Sequence, residues 1–159
     1  MDFSKSLQTE RLALSPVASR DLIFFVRLVG DARVRQFLGG PVPWLQRLRQ
    51  FRTYRQGHPK IGIWVARTSG REDAVGLVVL SPHKDGEDYE ISYQFRPKFW
   101  GKGLACEATA RVVVPFVISF APHYVFKGAA QIRDRSNPHR STFPSFNRSL
   151  LVSVMPALQ

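Results

Sequence analysis

Between residues 88 and 120 the chain sets a lysine between two glycines, and the residues on either side decide what that lysine can do. The string is Trp100-Gly101-Lys102-Gly103-Leu104-Ala105. Ahead of it, Tyr89, Ile91, Tyr93 and Phe95 alternate with Glu90, Ser92 and Gln94, the period of two expected of a strand with one apolar face. Behind it, Ala105, Glu107, Ala108, Ala110 and Arg111 are good helix formers. The first amides of a helix have no carbonyl partner within it, and the helix dipole adds positive character there. Glycines let a ligand come close to the backbone. A strand, a Gly-Lys-Gly loop and a helix therefore predict an anion site that suits a phosphate or diphosphate. It is not a dinucleotide fingerprint, which needs a third glycine where Cys106 stands, and it is not a Walker A loop. By spacing alone, a plain strand-to-helix turn accounts for it equally well.

The wider string is more specific. Tyr93, Pro97, Trp100, Gly101, Lys102, Gly103, Ala105, Glu107 and Ala108, preceded by Glu90-Ile91-Ser92, resemble the acyl-coenzyme-A loop of the GNAT superfamily of N-acetyltransferases. Within it they look like the branch that acetylates the N-terminal alanine of ribosomal proteins. Trp100 stands where most of the superfamily has Arg or Gln. A second part of the chain agrees. Thr9-Glu10-Arg11-Leu12-Ala13-Leu14 is similar to the usual opening of this branch, although Ser15 replaces the Arg that normally follows.

The resemblance implies that Trp100, Gly101, Lys102, Gly103, Leu104 and Ala105 hold the diphosphate of acetyl-coenzyme A. It also implies that main-chain groups of Gln94 and Phe95 hold the pantetheine arm as an added strand would. Acetyl transfer from a thioester to an amine needs a neutral amine, a polarised carbonyl and a stabilised leaving sulfur. Direct attack needs no enzyme nucleophile, so Cys106 is expected to be a packing residue. The strand amide near Phe95 is a candidate to polarise the carbonyl. Glu90 is the candidate general base, with an arginine-paired surface carboxylate as the competing reading. Tyr124 and Tyr93 are candidates for the acid that reprotonates the thiolate. His83, His123 and His139 lack partners at ligand spacing, so no metal site is proposed.

The elements that must position these groups read as α+β: a mixed, mainly antiparallel sheet flanked by helices. Leu12 and Leu14 share one face of an early strand. Ser19, Arg20 and Asp21 are cap candidates for a helix reaching about Val29. A second short helix is expected over 32–38, ended by Gly39-Gly40-Pro41, with Phe24, Phe25, Phe37 and Leu38 in the core. A third, over 43–56, should turn Trp44, Leu45, Leu48 and Phe51 inward and Arg47, Arg49, Arg52 and Arg55 mostly outward. Strands follow over 61–67, 74–80 and 88–95. Pro115 should end or bend the following helix near Val114. The family resemblance covers about 7–120. Beyond Phe120 the expected family motifs fail, 124–132 reads as a further strand, and 150–155 reads as a last strand rather than a helix.

The 159 residues fit one domain, 1–159, with a divergent segment over 121–159. An apolar content of 44 % fits a globular chain. No apolar run approaches the roughly 20 residues of a membrane span, and Met1-Asp2-Phe3-Ser4 begins no signal peptide. With one cysteine, a cytoplasmic protein without an internal disulfide is expected. The net charge of +11 comes from arginines spread along the chain, which favours a solvated basic surface over a dedicated nucleic-acid face. Three readings follow: an acetyl-coenzyme-A-dependent N-acetyltransferase acting on a protein N-terminus or small amine; a non-catalytic protein of the same fold that binds coenzyme A or a partner; and a basic nucleic-acid-binding module. The last lacks any helix-turn-helix, zinc or aromatic RNA-binding signature. The unusual C-terminal strand suggests a homodimer.

Overall fold

The computed structural model describes residues 3–70, 73–82, 89–120 and 151–152. Its centre is a sheet of six strands in sequence order: β1 (Leu7–Gln8), β2 (Leu12–Pro16), β3 (Gly62–Thr68), β4 (Ala74–Pro82), β5 (Tyr89–Phe95) and β6 (Leu151–Val152). The first five are antiparallel to their neighbours, and β6 pairs parallel with β5 at Glu90 and Ile91. Three helices flank the sheet: α1 (Leu22–Leu28), α2 (Trp44–Gln56) and α3 (Leu104–Phe120). The α+β architecture expected from the sequence is thus the one observed. The predicted strand over 124–132 lies outside the described residues.

Alternation along each strand splits the core in two. On one face Leu12, Leu14, Trp64, Val78, Leu80, Ile91 and Phe95 meet Leu104, Ala108 and Val112, which recur every four residues along α3. On the other, Ile63, Val65, Leu77 and Val79 meet Phe25 and Leu28 of α1, Val29 just after it, and Phe51 of α2. Tyr89 and Tyr93 join the α3 face, as the period of two in β5 requires. Thus the strand that leads into the glycine loop is packed on its α3 face, while Glu90, Ser92 and Gln94 on the other face are half-buried.

Several expectations are corrected. The helix from Ser19 begins as a single 3-10 turn over Ser19–Asp21 before α1. Residues 32–38 form turns, not a helix. There the Asp31 carboxylate accepts from the N–H groups of Arg33 and Val34, while the Arg35 guanidinium donates to the carbonyls of Leu38 and Gly40 at 2.7 and 3.0 Å. Side chains satisfy main-chain groups that a helix would have paired internally. Phe37 is accordingly exposed, and of the four residues expected in the core only Phe25 is fully buried. On α2 the inward stripe reduces to Phe51 and a half-buried Leu48, with Trp44 and Leu45 exposed. Arg47 points inward instead, donating to the carbonyls of Val42 and Val26 and packing on Gly30. Finally, α3 runs unbroken through Pro115 to Phe120. The proline removes only the bond to the carbonyl of Arg111, and Arg111 is exposed, so water can take that place.

One buried polar group fixes the sheet to α1. Arg67 on β3 pairs with Asp21 at the entrance of α1 and donates to Ser15 Oγ on β2 at 2.6 Å. The other Asp21 oxygen accepts the Ala18 N–H at 2.8 Å. Asp21 is 2 % exposed and Arg67 8 %. Where the family pattern has Arg, Ser15 is thus the acceptor for an arginine two strand positions along on the neighbouring strand. Removing one member strands the other's charge in the interior. We expect Arg67→Met to lower unfolding stability by about 3 kcal/mol, read as a shifted urea midpoint. A change below about 0.5 kcal/mol would mean that water already solvates the pair.

Candidate active site

The loop between β5 and α3 is shaped by its glycines and held from outside by Arg11. Gly101 and Gly103 adopt φ of +70° and +71°, the left-handed region where a Cβ is strained. The first bond of α3 runs from the Glu107 N–H to the Gly103 carbonyl at 3.0 Å. The amides of Leu104 and Ala105 lie upstream of it, without a carbonyl inside the helix to receive them. At Gly101 an added Cβ would meet nothing within 4 Å, so the space beside that glycine is open.

Arg11 joins the opening motif to this loop. Its main-chain N–H donates to Glu107 Oε1 at 3.0 Å and its Nε to Oε2 at 2.6 Å, across 96 residues of sequence. Its Nη1 donates to the Lys102 carbonyl at 2.9 Å. Burial alone raises the Glu107 carboxyl, but hydrogen bonds from the Thr9 hydroxyl and from Arg11, with the Arg11 charge beside it, outweigh that and hold it below its ordinary 4.5. Sequence reading missed Arg11 as a site residue. It was visible as part of a motif, but its partner lies on another element.

Two ammonium groups flank the same loop. Lys98 Nζ lies 4.9 Å and Lys102 Nζ 5.5 Å from the centroid of the Phe99 ring. Both lysines line a cleft of about 580 Å³ together with Phe99, Thr68, Ser69 and Asp73. Lys98 was not singled out from the sequence; its only signal was proximity to the Gly-Lys-Gly string. Trp100 is turned inward. Its Nε1 donates to the Phe95 carbonyl at 2.7 Å, and its ring touches both halves of the core. Trp100 therefore positions the loop through its side chain.

The register of β5 separates the two residues expected to hold the arm. The Arg96 N–H donates to the Val75 carbonyl at 2.9 Å, and Phe95 faces Gly76. Antiparallel alternation then directs the main chain of Gln94 toward β4 and that of Phe95 toward the opposite edge. Among the described strands, only β6 lies on that edge, and it pairs no further along β5 than Ile91. The Gln94 side chain sits on the α1 face, with Oε1 buried and no partner among the described residues.

Glu90 is half-buried on that same face, opposite Ser81 and beside Leu151 in register. Five residues separate it from Phe95, about 16 Å of strand. The two cannot both touch one reacting carbonyl. Tyr93 faces α3, where burial, and then the neighbouring Cys106, push its phenol above the ordinary tyrosine range and keep it protonated. Cys106 itself is half-buried on α3, compatible with a packing role. Tyr124 lies outside the described residues.

The sequence profile of the acetyltransferase (GNAT) domain matches residues 11–126. The fold agrees with solved structures. A GNAT-family acetyltransferase from Bacillus anthracis superposes with a TM-score of 0.62 at 19 % identity, over 72 % of this chain and 67 % of that one. The spermidine N-acetyltransferase of Vibrio cholerae, solved with CoA and spermine, gives 0.55 at 19 % identity, over 66 % and 63 %. A Vibrio cholerae protein provisionally assigned as a ribosomal-protein-serine acetyltransferase gives 0.59 at 12 % identity, over 74 % and 70 %. The chain thus spans about two thirds of the length of these structures. Comparison with curated proteins finds no match. The sheet, the glycine loop opening α3 and the profile match together define an acetyl-transfer fold. The chain belongs to the GNAT acetyltransferases.

The Arg11–Glu107 clamp yields a prediction with a definite sign. A carboxyl lowered by folding contributes stability above its unfolded pKa and loses it as pH falls through the folded value. Because Arg11 is 49 % exposed, the pair is worth about 1 kcal/mol or less at neutral pH. Glu107→Gln is expected to lower stability by about that much at pH 7. It should also flatten the decline expected of the parent protein as the pH falls below the carboxyl's ordinary 4.5. Urea titrations from pH 3 to 7 on both proteins test this; parallel curves would show that the carboxylate is not linked to folding.

Proposed function

We propose that this protein is an acetyl-coenzyme-A-dependent N-acetyltransferase that acts on a primary amine, a protein N-terminus or a small amine. The observation that carries the reading is the open loop of Gly101 to Ala105, with upstream amides of α3 and the Lys98 and Lys102 ammoniums beside it. That donor set fits a diphosphate: main-chain N–H groups at a helix N-terminus, close approach at glycine, and positive charge nearby. When bound, acetyl-coenzyme A supplies an activated acetyl group on a thioester.

The chain's own residues divide the remaining work along β5. Gly101, Lys102, Gly103, Leu104 and Ala105 receive the phosphates, and Trp100 holds the loop in place from below. The Phe95 N–H, directed at the outer edge, receives the pantetheine arm as an added strand would. Glu90, about 16 Å further along the strand, is the base at the far end of the arm and takes the proton from the amine directly or through water. The separation that denies Glu90 and Phe95 a shared carbonyl suits these two stations. The Tyr93 phenol, kept protonated by burial, is an available proton donor on this strand, with Tyr124 as the other candidate. The spermidine N-acetyltransferase solved with spermine and the ribosomal-protein-serine type support an amine acceptor without choosing between a polyamine and an N-terminus.

Two variants test the assignment at its two ends. Aspartate tolerates left-handed backbone better than most residues, and a Cβ at Gly103 would meet Arg11 Nη2 at an ordinary 3.5 Å. Gly103→Asp should therefore keep the fold while its carboxylate repels the phosphates, abolishing acetyl-coenzyme-A binding in calorimetry. Unchanged affinity in that variant would remove the loop from the site. At the other end, Glu90→Gln should leave that affinity intact and lower kcat about 100-fold in a thiol-release assay on an amine panel. Equal turnover by Glu90→Gln and the parent would assign the base elsewhere.

A further inference from the structure

The cations of this chain are spread along its sequence, but its acids are not, and one long stretch has none. Between Asp31 and Glu72 there are nine lysines and arginines and no carboxylate. Helix α2 lies in the middle of that stretch. Its acid-free sequence, Trp-Leu-Gln-Arg-Leu-Arg-Gln-Phe-Arg-Thr-Tyr-Arg-Gln, places Leu45, Arg49, Arg52 and Gln56 at intervals of four, three and four residues. That spacing puts them on one face. The opposite face carries Phe51 and Tyr54, which pack against Phe25 with ring centroids 5.5 and 5.6 Å away. Leu45, Arg49, Arg52, Arg55 and Gln56 are exposed.

These guanidiniums are not neutralised. Among the described residues no carboxylate pairs with Arg49, Arg52 or Arg55; Arg55 meets only the Ser19 hydroxyl, at 3.1 Å. The charged pairs of the described residues lie elsewhere, at Arg11, Arg33 and Arg67. An ordinary solvated helix mixes signs along its outer face; this one has a single sign. At the start of the same helix the Trp44 ring is 57 % exposed, and Phe37, in the preceding turns, is 53 % exposed. Around the helix axis Trp44 lies about 20° from Arg55 and about 80° from Arg52, and about 12 to 16 Å along the axis from them, so a strand laid along these arginines meets an exposed indole at the start of the helix.

We infer that the outer face of α2 binds single-stranded RNA, with Arg49, Arg52 and Arg55 on the phosphates and Trp44 stacked on a base. The charge calls for a polyanion. The exposed indole favours one whose bases are unpaired, because splayed bases stack on aromatic rings and duplex bases do not. An acidic protein segment would satisfy the arginines and leave Trp44 without a role. This surface stands independently of the acetyl-transfer reading, since α2 contributes no residue to the glycine loop or to β5.

The test is fluorescence anisotropy with an end-labelled 20-nucleotide oligouridylate, titrated with the full chain at several potassium chloride concentrations. With three phosphate contacts on a single strand, the logarithm of the binding constant should fall with the logarithm of salt at a slope of about −2. The double variant Arg49→Glu/Arg52→Glu should weaken binding at least about tenfold and flatten that slope. Trp44→Ala should weaken it with the slope retained. The melting temperature and the thiol-release rate of the double variant report the fold and the acetyl-transfer site, and both should match the parent. Absence of binding at low salt overturns the proposal. So does equal affinity in the double variant, or displacement of the RNA by an equal charge concentration of a polyglutamate peptide.

Discussion

Arg11 and Glu107 meet across nearly the whole described fold, and the geometry of the glycine loop rests on that meeting. A loop whose glycines sit at positive φ has little internal reason to keep one shape, because glycine loses more conformational freedom on ordering than any other residue. The guanidinium supplies an external constraint at two points: the carboxylate in the first turn of α3 and the carbonyl of Lys102. An anion site made of main-chain amides is useful only when the amides are already aimed, since ordering them on binding would subtract from affinity. Through Arg11 the segment between β1 and β2 therefore takes part in shaping the candidate site at the start of α3.

Trp100 applies a second constraint from the opposite side. Its indole N–H is bonded to the Phe95 carbonyl and its ring lies where the two core clusters approach each other. The end of β5 and the loop are thus both tied to the core through one side chain. Charge in the interior follows the same logic. Arg67, Asp21 and Ser15 tie three elements together with hydrogen bonds to most of their polar groups, which is the condition under which a buried ion pair is tolerable. Positive charge left over is carried to the surface, above all along α2.

Much of this was legible in the sequence because it depends on local rules. The period of two in residues 89–95 assigned Tyr89, Ile91, Tyr93 and Phe95 to one face, and those residues do meet α3. The helix formers after Gly103 and the pair of leucines at 12 and 14 were equally readable, since each reflects a repeat that needs no distant partner. The failures share one cause. Residues 32–38 have helical composition, yet Asp31 and Arg35 bond their own neighbouring main chain. Trp44 and Leu45 look like core by spacing, yet α2 turns Phe51 and Tyr54 toward the core instead. Arg47 looks like surface by type, yet three elements leave it a slot lined with carbonyls. Pro115 costs the helix one bond, at the carbonyl of an exposed residue, Arg111.

The sequence alone determined the family-like loop, the alternation of β5 and the basic balance, because glycine conformations, side-chain periodicity and charge are properties of the chain near each residue. The tertiary structure decided which groups share a site. It joined Arg11 to Glu107, brought Lys98 beside Lys102 and turned Trp100 inward. It gave Phe95 the outer edge while Gln94 faces β4, and it set Glu90 five residues further back along the same strand. Such pairings depend on which surfaces pack and in which register, and one-residue changes of register exchange the two faces of a strand. No local pattern carries that information.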